Sequence, residues 1–328
     1  MTKTFGLSSK GDTVQAVTLS AGDLSVTILT WGAIVQDVRL AGVPYSLTLG
    51  SDYLSDYEGD MMHHGSLIGP IANRISTARV RIGGMMYELE RNQDGRIHLH
   101  SGKDATHRRN WTLISATNDT AVLECTLPDG TCGLPGNRVI TATYRVSAPA
   151  TLDLTVTGTT DDTTMMNFAN HSYWNLDGSA TYDGHRLQIN ADRYLPGTQD
   201  NVPTGEIAKV AGTPMDFRAP RKVAVNDPPF DNNFCLSDTP QPRRDALVLT
   251  GANGVQMTVA TNQTGIQIYD ARDAIRPDGT NYEGLAIEAQ GWPDAPTHRD
   301  FPSILVSPDA PYHQETQFRF QRITPTAT

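Results

Sequence analysis

Apolar and polar residues alternate along most of the chain, and turn residues separate the alternating runs. Successive side chains of a strand point to opposite faces, so this pattern is typical of strands with one buried face. Two runs flank Gly83-Gly84, which predicts a hairpin there. The pattern predicts strands at Thr13–Leu19, Leu24–Trp31, Ile34–Leu40, Arg79–Ile82, Met86–Leu89, Trp111–Thr117, Ala121–Leu127, Arg138–Val146, Leu152–Thr157, Arg186–Ile189, Ala246–Leu249, Val255–Thr261, Ile266–Tyr269, Leu285–Ala289, Ile304–Val306 and Thr316–Ile323.

Helical periodicity is weak in this sequence. No segment keeps an apolar helical period for three turns without Gly, Pro or a β-branched run. Many short strands with frequent turns predict an all-β protein, built as a large sandwich or a barrel. The best candidate boundaries, Pro228-Pro229 and Asp238–Arg244, lie inside one continuous pattern. We therefore predict a single domain over residues 1–328.

Composition and charge narrow the function classes. The chain has 328 residues, of which 38% are hydrophobic and 19% charged, as in folded globular proteins. A net charge of −10 argues against a nucleic-acid partner and against an anionic membrane surface. Residues 1–6 lack the apolar core of a signal peptide, and no apolar run approaches the ~18 residues of a membrane span. We expect a cytoplasmic protein.

The three cysteines are Cys125, Cys132 and Cys235. An odd, small number at irregular spacing predicts reduced thiols in a reducing compartment. Cys125 and Cys132 would be able to pair if they faced each other across a hairpin, and the sequence leaves that alternative open.

The most unusual stretch is Asn167–Leu176, which combines a histidine, three asparagines and aromatic residues without one charged side chain. Buried polar groups need hydrogen-bond partners, so a strand that lines a wet, concave site fits this mixture. On such a strand Asn167, Ala169, His171 and Tyr173 share one face. Amides beside aromatic rings are suited to a sugar, whose hydroxyls need planar partners and whose C–H faces need an aromatic plate. The alternative is a core histidine held by a backbone carbonyl.

Two further polar segments are candidates for ligand contact. Asn73 and Arg74 follow a glycine-containing bend, and a guanidinium suits contacts with oxygen atoms, although a surface ion pair is an equal alternative. His98-Leu99-His100 puts two imidazoles on one strand face. With His63-His64 upstream a metal site is conceivable, but carboxylates and thiolates at ligand spacing are lacking. Hydrogen bonding by His100 to a polar ligand is the better functional interpretation.

Glu288 is the strongest acid–base candidate. Alternation puts Leu285 and Ile287 on one face and Ala286, Glu288 and Gln290 on the other. A carboxylate on so apolar a strand is costly unless it has a partner or a catalytic role, and burial would raise its pKa toward the range of a general base. The alternative is a structural ion pair with Arg74 or Arg299.

The motifs of nucleotide-binding loops, dinucleotide folds and nucleophile elbows are absent from the sequence. Instead, short motifs in a fixed order run over nearly the whole chain, and the ordered set resembles the aldose 1-epimerase (galactose mutarotase) family. The motifs are Gly69 with Ala72-Asn73-Arg74-Ile75, Leu99-His100-Ser101-Gly102, Asn170-His171-Ser172-Tyr173-Trp174-Asn175-Leu176, Pro203-Thr204-Gly205-Glu206-Ile207, Gly212-Thr213-Pro214 with Asp216-Phe217-Arg218, Asp231 with Asn233-Phe234, Glu288-Ala289-Gln290 with Pro293-Asp294-Ala295, Phe301-Pro302-Ser303, and Pro308 with Tyr312.

The resemblance implies an antiparallel β-supersandwich, galactose mutarotase-like, that interconverts the α and β anomers of a free aldose. In the family a glutamate takes the C1 hydroxyl proton and a histidine protonates the ring oxygen; by motif match these are Glu288 and His171. The resemblance implies that the protein needs no metal or organic cofactor and that its partner is a monosaccharide. It also implies a monomer or homodimer. The substrate-binding residues that it implies are Asn73, Arg74, His100, Asp231 and Gln267.

The chain departs from the usual family residues at Pro70, Ser101, Asn232 and Asp270, among other positions. An added carboxylate such as Asp270 would change which hydroxyl pattern is favoured or disfavour an acidic sugar. A non-catalytic sugar-binding protein and a sugar-phosphate epimerase are the alternatives. A protein that only binds sugar needs no acid–base pair, so the presence of both Glu288 and His171 favours the enzyme. The second alternative needs extra cations at the pocket mouth, for which Arg108-Arg109 and Arg243-Arg244 are candidates.

Overall fold

The computed structural model describes residues 1–324. No helix in that part of the chain is long and apolar enough to cross a membrane. The first strands are β1 Thr2–Leu7, β2 Thr13–Ala21, β3 Leu24–Leu29, β4 Ile34–Leu40, β5 Leu67–Ile68, β6 Arg74–Ile75, β7 Arg79–Ile82, β8 Met85–Glu88, β9 His98–Leu99, β10 Thr112–Ala116, β11 Thr120–Leu127, β12 Arg138–Ser147 and β13 Thr151–Thr160.

The second half of the chain continues the all-β pattern. Its strands are β14 Thr164–Met165, β15 Ala169–Asn170, β16 Tyr173–Trp174, β17 Arg186–Ile189, β18 Arg193–Leu195, β19 Ala208–Lys209, β20 Arg221–Lys222, β21 Asp231–Cys235, β22 Arg244–Thr250, β23 Val255–Thr261, β24 Gly265–Tyr269, β25 Leu285–Gln290, β26 Leu305–Val306 and β27 Tyr312–Arg322. The helical segments within the described residues are α1 Leu54–Glu58 and the 3-10 turns Gly102–Asp104, Thr106–Arg108, Thr131–Gly133 and Ala295–Thr297.

The strands form three main sheets. The first sheet has the strand order β1-β2-β3-β4. The second, the large sheet, has nine strands in the order β10-β11-β12-β13-β27-β23-β22-β17-β20. The third sheet has the order β16-β25-β24-β21-β18-β19. The pairings between these strands are antiparallel, and short two-stranded pairs such as β5 with β15 connect them. The predicted all-β, antiparallel class is confirmed.

Side chains from all three sheets meet in one continuous core. Val26 of the first sheet, Leu154 of the large sheet and Ile287 of the third sheet are buried in the same cluster. Trp174 lies there too, fully buried, with its ring centroid 5.2 Å from that of Phe318. The single domain over residues 1–328 stays a prediction that this shared core supports; its last four residues lie outside the described part.

Every run predicted from alternation contains or overlaps a strand of the structure, and the hairpin over Gly83-Gly84 is present, with Ile82 paired to Met85. The strands that alternation missed are mostly two to five residues long, among them β15, β16 and β21. All three cysteines are unpaired and buried, so the alternative of a bond between Cys125 and Cys132 is wrong. Burial raises the pKa of the Cys125 thiol to about 11, which keeps it protonated at neutral pH.

Candidate active site

Four strands of the third sheet contribute to the lining of a cavity of about 250 Å³: β16 with Tyr173, β21 with Asp231, β24 with Tyr269 and β25 with Glu288. That volume lies below the ~300–1,000 Å³ of pockets for drug-sized ligands, as suits one small polar molecule. The residues predicted from the sequence that line it are Asn73, Arg74, His100, His171, Asp231 and Glu288. Gln267 is absent from the lining and lies against Asp231.

Glu288 lies near the end of β25, a strand whose six residues are all buried. Leu285 and Ile287 face the core, as the alternation predicted, and this anchors the carboxylate on the opposite, cavity face. Glu288 is 1% exposed, and its Oε2 has no hydrogen-bond partner among the described residues. Burial raises the pKa of Glu288 well above its usual value; the charge of Asp231 adds to the rise and Arg74 opposes it.

His171 lies between β15 and β16, where its backbone is tied to the neighbouring chain. Its N–H donates to the carbonyl of Ser66 at 2.9 Å, and its carbonyl accepts from the N–H of Gly65 at 3.0 Å. These bonds aim the imidazole at β25, and its Nε2 lies 3.5 Å from Oε1 of Glu288. Burial lowers the pKa of His171 well below its usual value, and the nearby His63 and His64 lower it further.

Asn73 and His100 hold each other in place across the pairing of β6 with β9. The N–H of Asn73 donates to Nδ1 of His100 at 3.1 Å, and the N–H of His100 donates to the carbonyl of Asn73 at 2.9 Å. Because Nδ1 accepts this bond, a neutral His100 carries its proton on Nε2. Both residues have positive φ, 61° for Asn73 and 49° for His100. Non-glycine residues adopt this region at a cost of about 1–3 kcal/mol, which the paired hydrogen bonds offset.

Arg74 and Asp231 both line the cavity and form an ion pair. The guanidinium Nη1 of Arg74 lies 3.5 Å from Oδ2 of Asp231, and its Nε donates to Gln93 at 2.9 Å. Gln267 donates from Nε2 to Oδ1 of Asp231 at 2.6 Å, so it helps to fix the carboxylate. Burial raises the pKa of Asp231, whereas Arg74 and Gln267 oppose that rise by stabilising the charge.

Comparison with known proteins decides the family. The family model of the aldose 1-epimerases matches residues 15–319. The chain belongs to the aldose 1-epimerase family. The galactose mutarotase of Mus musculus is 33% identical, over 96% of this chain and 97% of its own. The aldose 1-epimerase of Escherichia coli K12 is 28% identical, over 98% and 99%. The solved galactose 1-epimerase of Lactobacillus acidophilus superposes with a TM-score of 0.86 at 25% identity, over 99% of both chains. Members of this family are isomerases.

Aromatic rings complete the cavity of this aldose 1-epimerase family member. Tyr173, the residue that was predicted to share a face with His171, has its ring centroid 5.1 Å from the imidazole. His64 stacks on Tyr173 at 4.3 Å, and Tyr269 meets it edge-on at 6.3 Å. Asn167 does not belong to the cavity lining, because its amide exchanges two hydrogen bonds with the backbone of Gly291. The face predicted for this stretch is therefore correct for His171 and Tyr173 and wrong for Asn167.

His63 also lines the cavity, and the sequence marked it only as a conceivable metal ligand. Its ring lies 4.8 Å from that of His100, 5.2 Å from that of His107 and 5.6 Å from that of His171. Burial, with the charges of Arg108 and Arg74, lowers the pKa of His63 to about 4, so this group of rings is neutral at pH 7. Residues 1–324 contain no group of three or more ligands with metal-binding geometry.

Two further expectations are corrected by the geometry. His98 and His100 do not share a site: β9 ends at Leu99, and Nδ1 of His98 bonds the carbonyl of Glu90 at 2.8 Å. Glu288 has no ion pair with Arg74 or Arg299 in the described part of the chain; its titratable neighbour is the imidazole of His171.

The cations proposed for a sugar phosphate lie elsewhere. Arg108 donates to the sulfur of Met62, and Arg243 pairs with Asp153 on the large sheet. Arg109 donates to the carbonyl of Asp104, and Arg244 to that of Thr261. The cavity lining includes neither these four arginines nor Asp270.

Proposed function

We propose that this chain is a mutarotase that interconverts the α and β anomers of a free, neutral aldose. Glu288 acts as the general base and His171 as the general acid. The observation that carries the proposal is the approach of these two side chains to 3.5 Å in a buried polar cavity of monosaccharide size. A protein that only bound sugar would gain nothing from a desolvated acid–base pair.

The reaction needs one proton to leave the C1 hydroxyl while another reaches the ring oxygen. Glu288 accepts the proton from O1 as His171 donates one to the ring oxygen, and the bond between C1 and that oxygen breaks to give the open aldehyde. The C1–C2 bond then rotates. On closure His171 takes the proton back and Glu288 returns one to O1, which leaves the opposite configuration at C1.

The pair carries a single shared proton in either form. In the free cavity, the raised pKa of Glu288 and the lowered pKa of His171 favour the proton on the carboxyl group. Moving it to His171 changes no net charge, so the buried site keeps a neutral pair in both forms. Arg74 lowers the pKa of Glu288 and also that of His171, so its charge opposes protonation of either member of the pair.

The remaining residues bind the sugar. Asp231 accepts hydrogen bonds from hydroxyl groups, and Arg74, Asn73 and the protonated Nε2 of His100 donate to oxygen atoms. The ring of Tyr173 offers an apolar face beside the acid–base pair. Gln267 contributes through Asp231, whose carboxylate it holds at 2.6 Å.

The test is the rate of anomer conversion of fresh α-D-glucose, α-D-galactose and α-D-xylose, followed by polarimetry against the spontaneous rate in the same buffer. We expect acceleration for at least one of them. Sugar binding by calorimetry without any acceleration would overturn the proposal and leave a binding protein. Acceleration only of phosphorylated sugars would make the sugar-phosphate epimerase correct.

The pH profile follows from the directions of the two pKa shifts. Glu288 keeps its proton to a higher pH than usual, and His171 gains one only at a lower pH than usual. The pair therefore holds one proton over a wide interval. We expect kcat/KM to stay constant across that interval. It should fall on the alkaline side as the pair loses its proton and on the acid side as it gains a second. A narrow bell centred on the usual histidine pKa would contradict this assignment.

A further inference from the structure

Asp270 is a buried carboxylate that the reaction does not use. It is 0% exposed, and it does not line the cavity. Its partner is Arg272, two residues on, which does line the cavity. Nε of Arg272 donates to Oδ1 at 2.8 Å and Nη2 donates to Oδ2 at 2.8 Å, a side-on, bidentate pair. Such a fork fixes the plane of the guanidinium as a single bond would not.

The pair of Asp270 and Arg272 also forms hydrogen bonds with the backbone of the residue before Asp231. The N–H of Phe230 donates to Oδ2 of Asp270 at 3.1 Å, and the carbonyl of Phe230 accepts from Nη2 of Arg272 at 3.1 Å. Both polar backbone groups of the residue before Asp231 are thus bound by the pair. Arg272 is held next to the carboxylate that is proposed to bind sugar hydroxyls.

One nitrogen of Arg272 remains free. Nη1 has no hydrogen-bond partner among residues 1–324, and it is not a buried atom, since the side chain is 29% exposed and borders the cavity. Its two N–H groups are the available donors of an otherwise neutralised cation. Because the fork occupies the other donors, Nη1 has a fixed position, and little side-chain entropy is lost when it binds.

Arg272 lies at the end of the cavity away from the acid–base pair. Along β24, Gln267 pairs with Glu288 and Tyr269 pairs with Asp231, so the chain passes Asp231 before it reaches Asp270 and Arg272. A sugar with C1 between Glu288 and His171 therefore extends past Asp231 toward Arg272. The substituents at that end of a pyranose are those of C4 and C6.

We propose that Arg272, oriented by Asp270, is a specificity-determining residue that donates from Nη1 to a hydroxyl at C4 or C6 of the bound aldose. This inference rests on the proposed function and names the part of the substrate that the chain selects. Asp273 and Asp60 also line the cavity. With Asp270 neutralising the guanidinium and these acids nearby, a neutral hydroxyl suits the position better than a carboxylate or phosphate.

The test compares Arg272→Gln with wild type in binding and in rate, using D-galactose, its C4 epimer D-glucose and 6-deoxy-D-galactose. Loss of a charge-assisted hydrogen bond predicts a Kd and KM about 10- to 100-fold higher for the preferred hexose, with kcat within about threefold. The loss should be smaller for whichever sugar lacks the contacted hydroxyl or carries it in the other configuration. That change in selectivity would not follow from a merely structural role.

Two further variants separate contact from loosening of the fold. Asp270→Asn with Arg272→Gln removes both charges together, so no buried carboxylate is left unpaired, and the same selectivity change is expected. Arg276→Gln is the matched control: this arginine of the same loop pairs with Glu283 and bonds the carbonyl of Gly50, and it does not line the cavity. Its Kd values should stay within about twofold of wild type.

The outcomes are distinct. An equal loss for all three sugars, or an equal effect of Arg276→Gln, would overturn the role of Arg272. Unchanged Kd values in Arg272→Gln would do the same. Calorimetry measures binding without catalysis, so sugar binding that depends on Arg272, in a wild-type protein that accelerates no mutarotation, would support the contact and overturn only the proposed function. Absence of binding by wild type would overturn both.

Discussion

Replacing Glu288 by Gln should lower kcat for anomer conversion by about 10²- to 10⁴-fold, the usual contribution of a general base. Glutamine has nearly the same shape, but it cannot accept the O1 proton. Within the described part of the chain, Glu288 is the one carboxylate in contact with the imidazole of His171, at 3.5 Å. Polarimetry with the preferred sugar gives kcat and KM, and KM should change little because the amide still forms hydrogen bonds.

Loss of stability is not expected to account for the lower kcat of Glu288→Gln. The raised pKa of Glu288 means that the folded state disfavours its ionised form, so removal of the carboxyl group should leave stability at neutral pH equal or higher. A thermal unfolding scan checks this point. Glu124→Gln, a glutamate on β11 in the large sheet, is the matched control and should retain wild-type kcat. Full activity in Glu288→Gln would remove Glu288 from the mechanism.

Replacing His171 by Gln should produce a loss of similar size, about 10²- to 10⁴-fold in kcat, because the ring oxygen is then left without a proton donor. The acid limb of the pH profile should vanish with the imidazole, since that limb is the second protonation of the pair. His313→Gln, at an imidazole whose side chain is 51% exposed, serves as the control.

The double variant sharpens the assignment. Residues that act as a unit are strongly non-additive, so Glu288→Gln with His171→Gln should be about as slow as either single variant. The pre-steady-state and steady-state rates of all three are compared in one buffer. Multiplication of the two losses would mean that the side chains act in separate steps and not in one proton exchange.

The long strands of the fold are readable from the sequence because one face of each is buried and the period of two is kept for several residues. β13, Thr151–Thr160, is of this kind. The two-residue strand directly before His171, Ala169–Asn170, is not readable in this way, because two residues are too few to show a period. That strand depends on its pairing with Leu67–Ile68, about 100 residues earlier in the chain, which no local sequence pattern indicates. The outer strand β1, mostly exposed, was missed for lack of alternating apolar residues.

The site divides in the same way. The sequence indicated Glu288 because a carboxylate stood on an apolar strand, and His171 because of its amide and aromatic neighbours. Their separation of 3.5 Å follows from the packing of β16 against β25, which requires the whole third sheet. Arg272 carried no signal, since an arginine in a polar loop has no pattern of its own. Its place became evident from the buried carboxylate of Asp270, which the sequence analysis had connected with sugar preference directly and not through an arginine.

The position of β27 in the large sheet has a consequence for how the chain folds during its synthesis. This strand, residues 312–322, pairs with β13 on one side and β23 on the other. During synthesis on the ribosome, both neighbours are made long before it, and each presents an unpaired edge that other chains can join. The sheet closes only after residue 322 has left the exit tunnel. Until then, β13 and β23 each keep one edge open to pairing with another chain.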